Sequence, residues 1–445
     1  MSGDPDRKRW QLTPHPGLSL SAVRNGMGRS HVRAKGRTSP DASLQGGSLS
    51  ALREMPMWPL AATLAVQTMA TMALFSIPAA APEIALELGV SGTLSGAFVS
   101  IVYAVGIVSA LLAPGFVHRY GAVRVSQVVL VAVLGLLGLA ATGGVLTLAL
   151  GAVVLGLAYG AIAPASTHLL VPQTPKPVFN LVMSLRQIGV PLGGVLGALI
   201  VPPISLAAGW RLAMAVQAGP VLALLIVIQL PRRRWDADCD PDRRLWSGVA
   251  GQQIRLLRDD PRLWRLSIAS FIFSGVQLCF VAFTTVQLTS VARLDLVRAG
   301  FVLAIYQVAG ACTRPVWGWV ADRYLSAARM LALLGFGMAA AACAMGQVGA
   351  GWPWAAILIM ALISGATAGG YTGVAYAEYA RLGGVRRTEA TGLGTAAMFA
   401  GVMIFPSAFA AVVHVAGGYG WPYVALAVLS AVSAAILCLE RGRRS

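Results

Sequence analysis

The sequence predicts an all-α membrane protein with twelve transmembrane helices in two pseudo-symmetric six-helix halves. Three observations carry this reading. Of 445 residues, 57% are apolar and 11% charged, against roughly 25% charged in a soluble domain, which excludes a soluble globular enzyme. The apolar residues gather in long runs, and about 20 such residues cross a hydrocarbon core of roughly 30 Å. Part of the first half also recurs in the second at an offset of 204 residues.

Residues 1–54 hold nine Lys/Arg among Ser, Gly and Pro and no apolar run, so they read as a disordered basic tail without a signal peptide. Met27 and Met55 are both candidate starts, and no function is assigned to the tail. The first half, 55–230, carries runs at roughly 57–80, 93–113, 125–145, 147–171, 180–202 and 209–230. A polar stretch at 231–265 reads as a cytoplasmic loop. The second half, 266–439, carries runs at roughly 266–289, 299–318, 328–348, 353–379, 392–415 and 418–439, and residues 440–445 form a short cytoplasmic tail. Lipid offers the backbone no hydrogen-bond partner, so runs of this length must be helices.

The formal charge of +17 then finds its place. With both termini in the cytoplasm, 29 of 34 Lys/Arg fall on that side, Arg211, Arg293 and Arg298 on the other, and Arg186 and Arg314 within helices. That asymmetry follows the positive-inside rule. It expects an inner (plasma) membrane location, with anionic lipid headgroups against the cytoplasmic face. The basic total thus reports topology and calls for no nucleic-acid partner. Five cysteines, none in CxxC spacing, argue against a disulfide framework or a metal site. Asp236, Asp238, Asp240 and Asp242 alternate as in a calcium loop, but Pro241 stands where the turn glycine belongs, so no metal is expected.

Within the repeat, Gly96, Ile101, Gly106, Arg119 and Tyr120 recur as Gly300, Ile305, Gly310, Arg323 and Tyr324. Gly156 and Gly160 are echoed by Gly365 and Gly369. Parallel six-helix halves around a midplane cavity are a common transporter design.

The end of the eighth run reads Gly318-Trp-Val-Ala-Asp322-Arg323-Tyr324, and the end of the second Pro114-Gly-Phe-Val-His118-Arg119-Tyr120-Gly121. These resemble the doubled loop signature G-x-x-x-D-R-x-G of the major facilitator superfamily. The second copy has Leu325 at the turn glycine; the first has Pro114 for the leading glycine and His118 for the acid. A neutral imidazole supplies no fixed anion, which puts the first copy's charge network in doubt. The resemblance implies that superfamily's fold and a secondary transporter of a small-molecule solute, with no cofactor and with protons as a candidate coupling ion. A monomer is expected. In the fifth run Gly189, Gly193 and Gly197 stand four apart, a smooth face for close packing, and Pro191 invites a kink. That run, and Ala377-Glu378-Tyr-Ala-Arg381 ending the tenth helix, resemble a bacterial subgroup related to cyanate and nitrate/nitrite porters.

Ionisable groups inside a bilayer are costly and mark function. Arg186 reads as two turns inside the fifth helix and Arg314 as one turn before the end of the eighth. Both are candidates for binding an anionic substrate, because a guanidinium is always charged and offers a planar fork to an oxyanion. The other reading pairs Arg314 with Glu378 as a cytoplasmic gate. Glu378 is also a candidate proton carrier, whereas His168 reads as a helix-end histidine facing water that shares the gating or coupling role only by its position. Gln67, Tyr103, Gln277, Tyr306 and Gln307 are candidate cavity-lining groups. The expected function is therefore alternating-access transport of a small organic or inorganic anion, with proton-coupled efflux of hydrophobic compounds as the alternative.

Overall fold

The computed structural model describes residues 54–90, 94–242, 245 and 249–439. Apart from Glu54, the tails expected at 1–54 and 440–445 lie outside the described residues. The main helices are α1 Met57–Ala79, α2 Leu94–Tyr120, α3 Ala122–Ala141, α4 Val145–Gln173, α5 Lys176–Ala208 and α6 Trp210–Val227. They continue with α7 Pro261–Ser290, α8 Leu296–Arg323, α9 Ala327–Gly346, α10, α11 Arg387–Ala416 and α12 Gly420–Cys438. Helix α10 has two parts, Trp354–Ser364 and Thr372–Gly383, joined through a widened turn at Gly365–Gly369. Ten apolar stretches are long enough to cross a membrane by length and composition, one of them holding both α10 and α11. The remaining crossing, α8, is 28 residues long but carries Arg298, Arg314, Asp322 and Arg323.

The sequence repeat reappears as packing. In the first half, α4 lies so close to α2 that a Cβ on Gly160 would meet the Gly106 carbonyl oxygen at 2.1 Å. In the second, α10 lies on α8, and a Cβ on Gly365 would meet the Tyr306 carbonyl oxygen at 2.1 Å, while one on Gly369 would meet Gly310 Cα at 2.7 Å. Both close approaches sit beside an interruption of the helix. Helix α4 breaks between Tyr159 and Ile162, and α10 widens at Gly365–Gly369. Glycine-interrupted helices at matching places in two halves are the architecture expected around a midplane solute site.

Helix α5 is also discontinuous, as Phe179–Arg186 and Gly189–Ala208. The cause is Pro191, which has no N–H to give the carbonyl four residues earlier, that of Gln187. Beyond the break Gly189, Gly193 and Gly197 face α1, where a Cβ on Gly193 would meet the Thr68 carbonyl oxygen at 2.5 Å.

The end of the bundle carrying Arg119, Arg124, Lys176, Arg323, Arg329, Arg381 and Arg387 is called here the basic face. At this end the halves close on each other. Val178, Val182 and Met183 of α5 join the core of the second half, and Asp322 reaches from α8 to accept the backbone N–H groups of Asn180 at 2.9 Å and Leu181 at 2.8 Å. The polar segment between the halves is partly helical, at Arg232–Trp235 and Val249–Asp259. Its Asp236 accepts the N–H groups of Val123 at 2.8 Å and Arg124 at 3.1 Å, capping α3. Burial pushes the Asp236 carboxyl up, and these two backbone bonds oppose the shift. Room for it comes from Gly121, at φ 92°, where a Cβ would meet Asp236 Cγ at 2.2 Å. Replacing Asp236 by Ala is expected to cost about 1–2 kcal/mol, the upper range for losing a helix cap, read as a lower Tm of the purified protein.

Candidate substrate site

Between the halves lies a cavity of about 100 Å³. Gln67 of α1, Tyr103 of α2, Tyr159 of α4 and Gln187 of α5 line it from one half; Gln277 of α7, Tyr371, Thr372 and Tyr376 of α10, and Thr395 and Phe399 of α11 line it from the other. Tyr159 borders the break in α4, and Tyr371 and Thr372 border the widened turn of α10. The aromatic wall joins the halves, with the Phe399 ring 4.9 Å from Tyr103 and 5.7 Å from Tyr159, centroid to centroid. A polar chain runs from Gln67 Nε2 to Thr71 Oγ1 at 3.0 Å and on to Tyr159 Oη at 3.2 Å. The Tyr371 and Thr372 hydroxyls are enclosed and have no hydrogen-bond partner among the described residues.

Beneath the cavity, toward the basic face, two guanidinium groups flank Gln187. Arg186 is 1% exposed; it donates to Ser166 Oγ of α4 and to Gln187 Oε1, and its Cζ lies 5.3 Å from the centre of the Tyr376 ring. Its Nε has no partner among the described residues. Arg314 is 3% exposed and donates through Nε to the Gly369 carbonyl at 2.8 Å and through Nη1 to the Gln187 carbonyl. Both acceptors lie at helix irregularities: Pro191 removes the N–H four residues on from Gln187, whose oxygen takes that of Val190 at 3.3 Å instead, and Gly369 ends the widened turn of α10. The same turn offers the Ala366 carbonyl to Trp317 Nε1 at 2.7 Å. None of the ion pairs among the described residues includes either arginine. Two buried cations from opposite halves thus meet carbonyl, amide and hydroxyl oxygens but no carboxylate. A buried charge without a counter-ion is costly, and the remaining donors match an oxyanion.

The sequence profile of the Major Facilitator Superfamily matches residues 63–384 and 295–445. The chain belongs to the major facilitator superfamily. Solved structures of similar fold include the Escherichia coli fucose:proton symporter FucP, with TM-score 0.70, 14% identity and coverage of 86% of this chain and 98% of that one. FucP in the outward conformation gives 0.67, 14%, 86% and 99%. The human organic anion transporter MFSD10 (TETRAN) gives 0.67, 12%, 86% and 99%. At these identities the likeness is one of fold. No curated protein matches the chain in sequence.

Within this transporter the residues singled out from sequence lie in different places. Gln67, Tyr103 and Gln277 border the cavity. Tyr306 does not: it is buried in the second half, its ring 6.2 Å from Phe280 and its hydroxyl donating to the Gln277 carbonyl at 3.4 Å. Gln307, one residue and about 100° further around α8, is exposed and does not border the cavity. Arg314 lies nine residues before the end of α8, about 13 Å from the basic face at 1.5 Å per residue, deeper than the single turn expected. The charged residues 322 and 323 cut the apolar run short of the helix end. The Arg314–Glu378 pair does not form. Glu378 is bound by Arg381, one turn on, with Nε to Oε2 at 2.7 Å, and it lies nine residues past Gly369, where Arg314 is anchored. His168 is not a water-facing helix end: it is 7% exposed and hydrogen-bonded through both ring nitrogens. In the loop signatures, Gly318 sits against the Asn180 carbonyl oxygen, 2.7 Å from where a Cβ would be, and Arg119 and Arg323 lie over the rings of Tyr120 and Tyr324.

Sequence reasoning passed over Tyr159, Tyr371, Thr372 and Tyr376. A signal was present: each flanks or closely follows one of the repeated glycines Gly160 and Gly369, where the helix opens.

Proposed function

We propose that this transporter moves a small anion, a carboxylate or an inorganic oxyanion, by alternating access, with Arg186 and Arg314 as its counter-charges. The observation that carries the reading is the pair of buried guanidiniums, one from each half, joined through Gln187 without an acidic partner among the described residues. Arg186 Nε is without a partner among the described residues, and the hydroxyls of Tyr371 and Thr372 add donors to the adjoining cavity. A guanidinium fork bonds two oxygens of one anion at once. The small cavity fits a compact solute, and nitrate and cyanate belong to that class, in line with the resemblance in α5.

Binding and movement are linked through Gln187. Its side chain occupies Arg186 and its carbonyl occupies Arg314, so an entering anion competes with both. Withdrawing Arg314 from Gln187 removes a bond between α8 and α5 just above the basic-face closure. The anion's preference for the freed arginines then shifts the balance toward the state in which that face opens. In this reading the basic face is cytoplasmic, both termini lie on that side of the inner membrane, anionic headgroups surround it, and the protein acts as a monomer.

The test is flux into proteoliposomes under imposed proton and electrical gradients, with labelled nitrate, cyanate, formate and larger carboxylates set against tetraphenylphosphonium. Saturable anion flux inhibited by the other anions is expected. Extrusion of the lipophilic cation with no anion flux would overturn the reading in favour of a proton-coupled exporter.

A further inference from the structure

In the first half, α2, α3 and α4 leave between them a groove of about 530 Å³ that shares no lining residue with the substrate cavity. It exists because small residues stand where the three helices meet: Ala113 of α2 and Ala158 and Ala161 of α4 are buried at its floor. Val108, Val128 and Leu157 are exposed along it, and in a membrane-spanning chain exposed apolar side chains face lipid. Val108 and Tyr120, the outermost α2 residues of the groove, lie about 18 Å apart at 1.5 Å per residue. That is the depth of one leaflet, half of a hydrocarbon core of roughly 30 Å.

The groove is apolar through its depth and basic at one end. Arg124, in the first turn of α3, lines it at the basic face. The rings of Phe116 and Tyr120, stacked with centroids 6.3 Å apart, form the wall that leads there, and the Arg119 guanidinium lies over the Tyr120 ring at 5.6 Å. Arg124 is exposed. Its Nη1 donates to Gln127 Oε1 at 3.1 Å, its other guanidinium N–H groups have no partner among the described residues, and none of the ion pairs there includes it. The acid at this end of α3, Asp236, is buried and accepts the backbone N–H groups of Val123 and Arg124. The Ser109 hydroxyl, deeper in, is enclosed by protein, so the donors open to an occupant sit at the basic end.

We propose that this groove seats one acyl chain of an anionic phospholipid from the leaflet at the basic face, with the lipid phosphate on Arg124. The length of the groove matches a chain that starts at that surface and ends near the midplane. An acyl chain gains little on leaving one apolar wall for another, so the groove by itself would take the chain of any lipid. The headgroup makes the choice. A basic residue close to the membrane surface favours an anionic lipid by a modest factor, and a guanidinium fork bonds two phosphate oxygens at once. A choline headgroup brings its own cation to the same arginine and loses the electrostatic part of that gain. All three helices belong to the first half, so the site depends neither on the solute nor on how the halves move.

The test is photolabelling of the full chain in phosphatidylcholine vesicles that carry a trace of phospholipid with a diazirine in its acyl chain, either phosphatidylglycerol or phosphatidylcholine. Labelled positions are read by mass spectrometry, relative to the exposed residues Ile359 and Leu362 of α10, which report ordinary lipid contact. At Leu112, Phe116 and Leu157 the phosphatidylglycerol probe is expected to label about fivefold more than the phosphatidylcholine probe, and the preference should shrink in high salt. Arg124→Gln should bring the two probes level, while Arg124→Lys keeps most of the preference. Equal labelling by both probes in the parent protein, or a preference that Arg124→Gln leaves unchanged, would overturn the proposal. Groove residues that neither probe labels, with Ile359 and Leu362 labelled normally, would give the groove to a second copy of the chain and overturn it as well.

Discussion

Arg314→Gln is expected to lower kcat/KM for anion uptake about 100-fold, the scale of removing one member of a buried, hydrogen-bonded charge contact. Arg186→Gln is expected to do the same. The two differ in a second readout. Arg314 ties α8 to the Gln187 carbonyl, so its loss should also weaken the basic-face closure; Arg186 hydrogen-bonds Ser166 and Gln187 within its own half and meets the other half over the Tyr376 ring, so its loss should weaken the closure less. Lysine keeps the charge without the fork, so Arg186→Lys should recover more of the activity for linear cyanate than for nitrate or a carboxylate, which a fork binds through two oxygens. Initial rates of saturable uptake at matched protein density, with labelled distances at the basic face, check both claims. Normal uptake in both glutamine variants would remove the arginines from the site.

The second large effect is on folding. Gly365→Leu places a side chain where a Cβ alone would stand 2.1 Å from the Tyr306 carbonyl oxygen. The obstacle is backbone, so no rotamer relieves it, and α10 must leave α8. A loss of about 3 kcal/mol or more is expected, seen as aggregation on size exclusion or a collapse of Tm. Gly300→Ala, on the same α8 but with nothing within 4 Å of its added Cβ, should melt like the parent. A folded Gly365→Leu protein of unchanged Tm would mean that α10 does not pack on α8 as drawn.

The order of helices was legible because lipid forces long apolar runs into helices, and the glycine repeat was legible because close helix contact demands the smallest residue. Arg186 and Arg314 stood out because the distribution of positive charge left them unexplained. The depth of Arg314 was hidden by Asp322 and Arg323, which end the apolar run before the helix ends. The partner of Glu378 is set by local spacing, with Arg381 one turn away, more than by any long-range pairing. The tyrosines of the cavity were hidden for a different reason: Tyr is ordinary in membrane helices, and only the broken turns of α4 and α10 bring Tyr159 and Tyr371 to the same space. Gln307 shows the converse: it holds the repeat position equivalent to that of Tyr103, which borders the cavity, yet it is exposed and does not.

The central claim is that an anion is held between Arg186 and Arg314, and locating a bound anion tests it most directly. Crystals soaked with a bromine-labelled short carboxylate, with the halogen placed by anomalous scattering, give its position without reference to transport. The account predicts the carboxylate within about 3 Å of both guanidiniums, Gln187 displaced, and no site in the Arg186→Gln, Arg314→Gln protein. A fully occupied site away from both arginines, unchanged in that double variant, would contradict it.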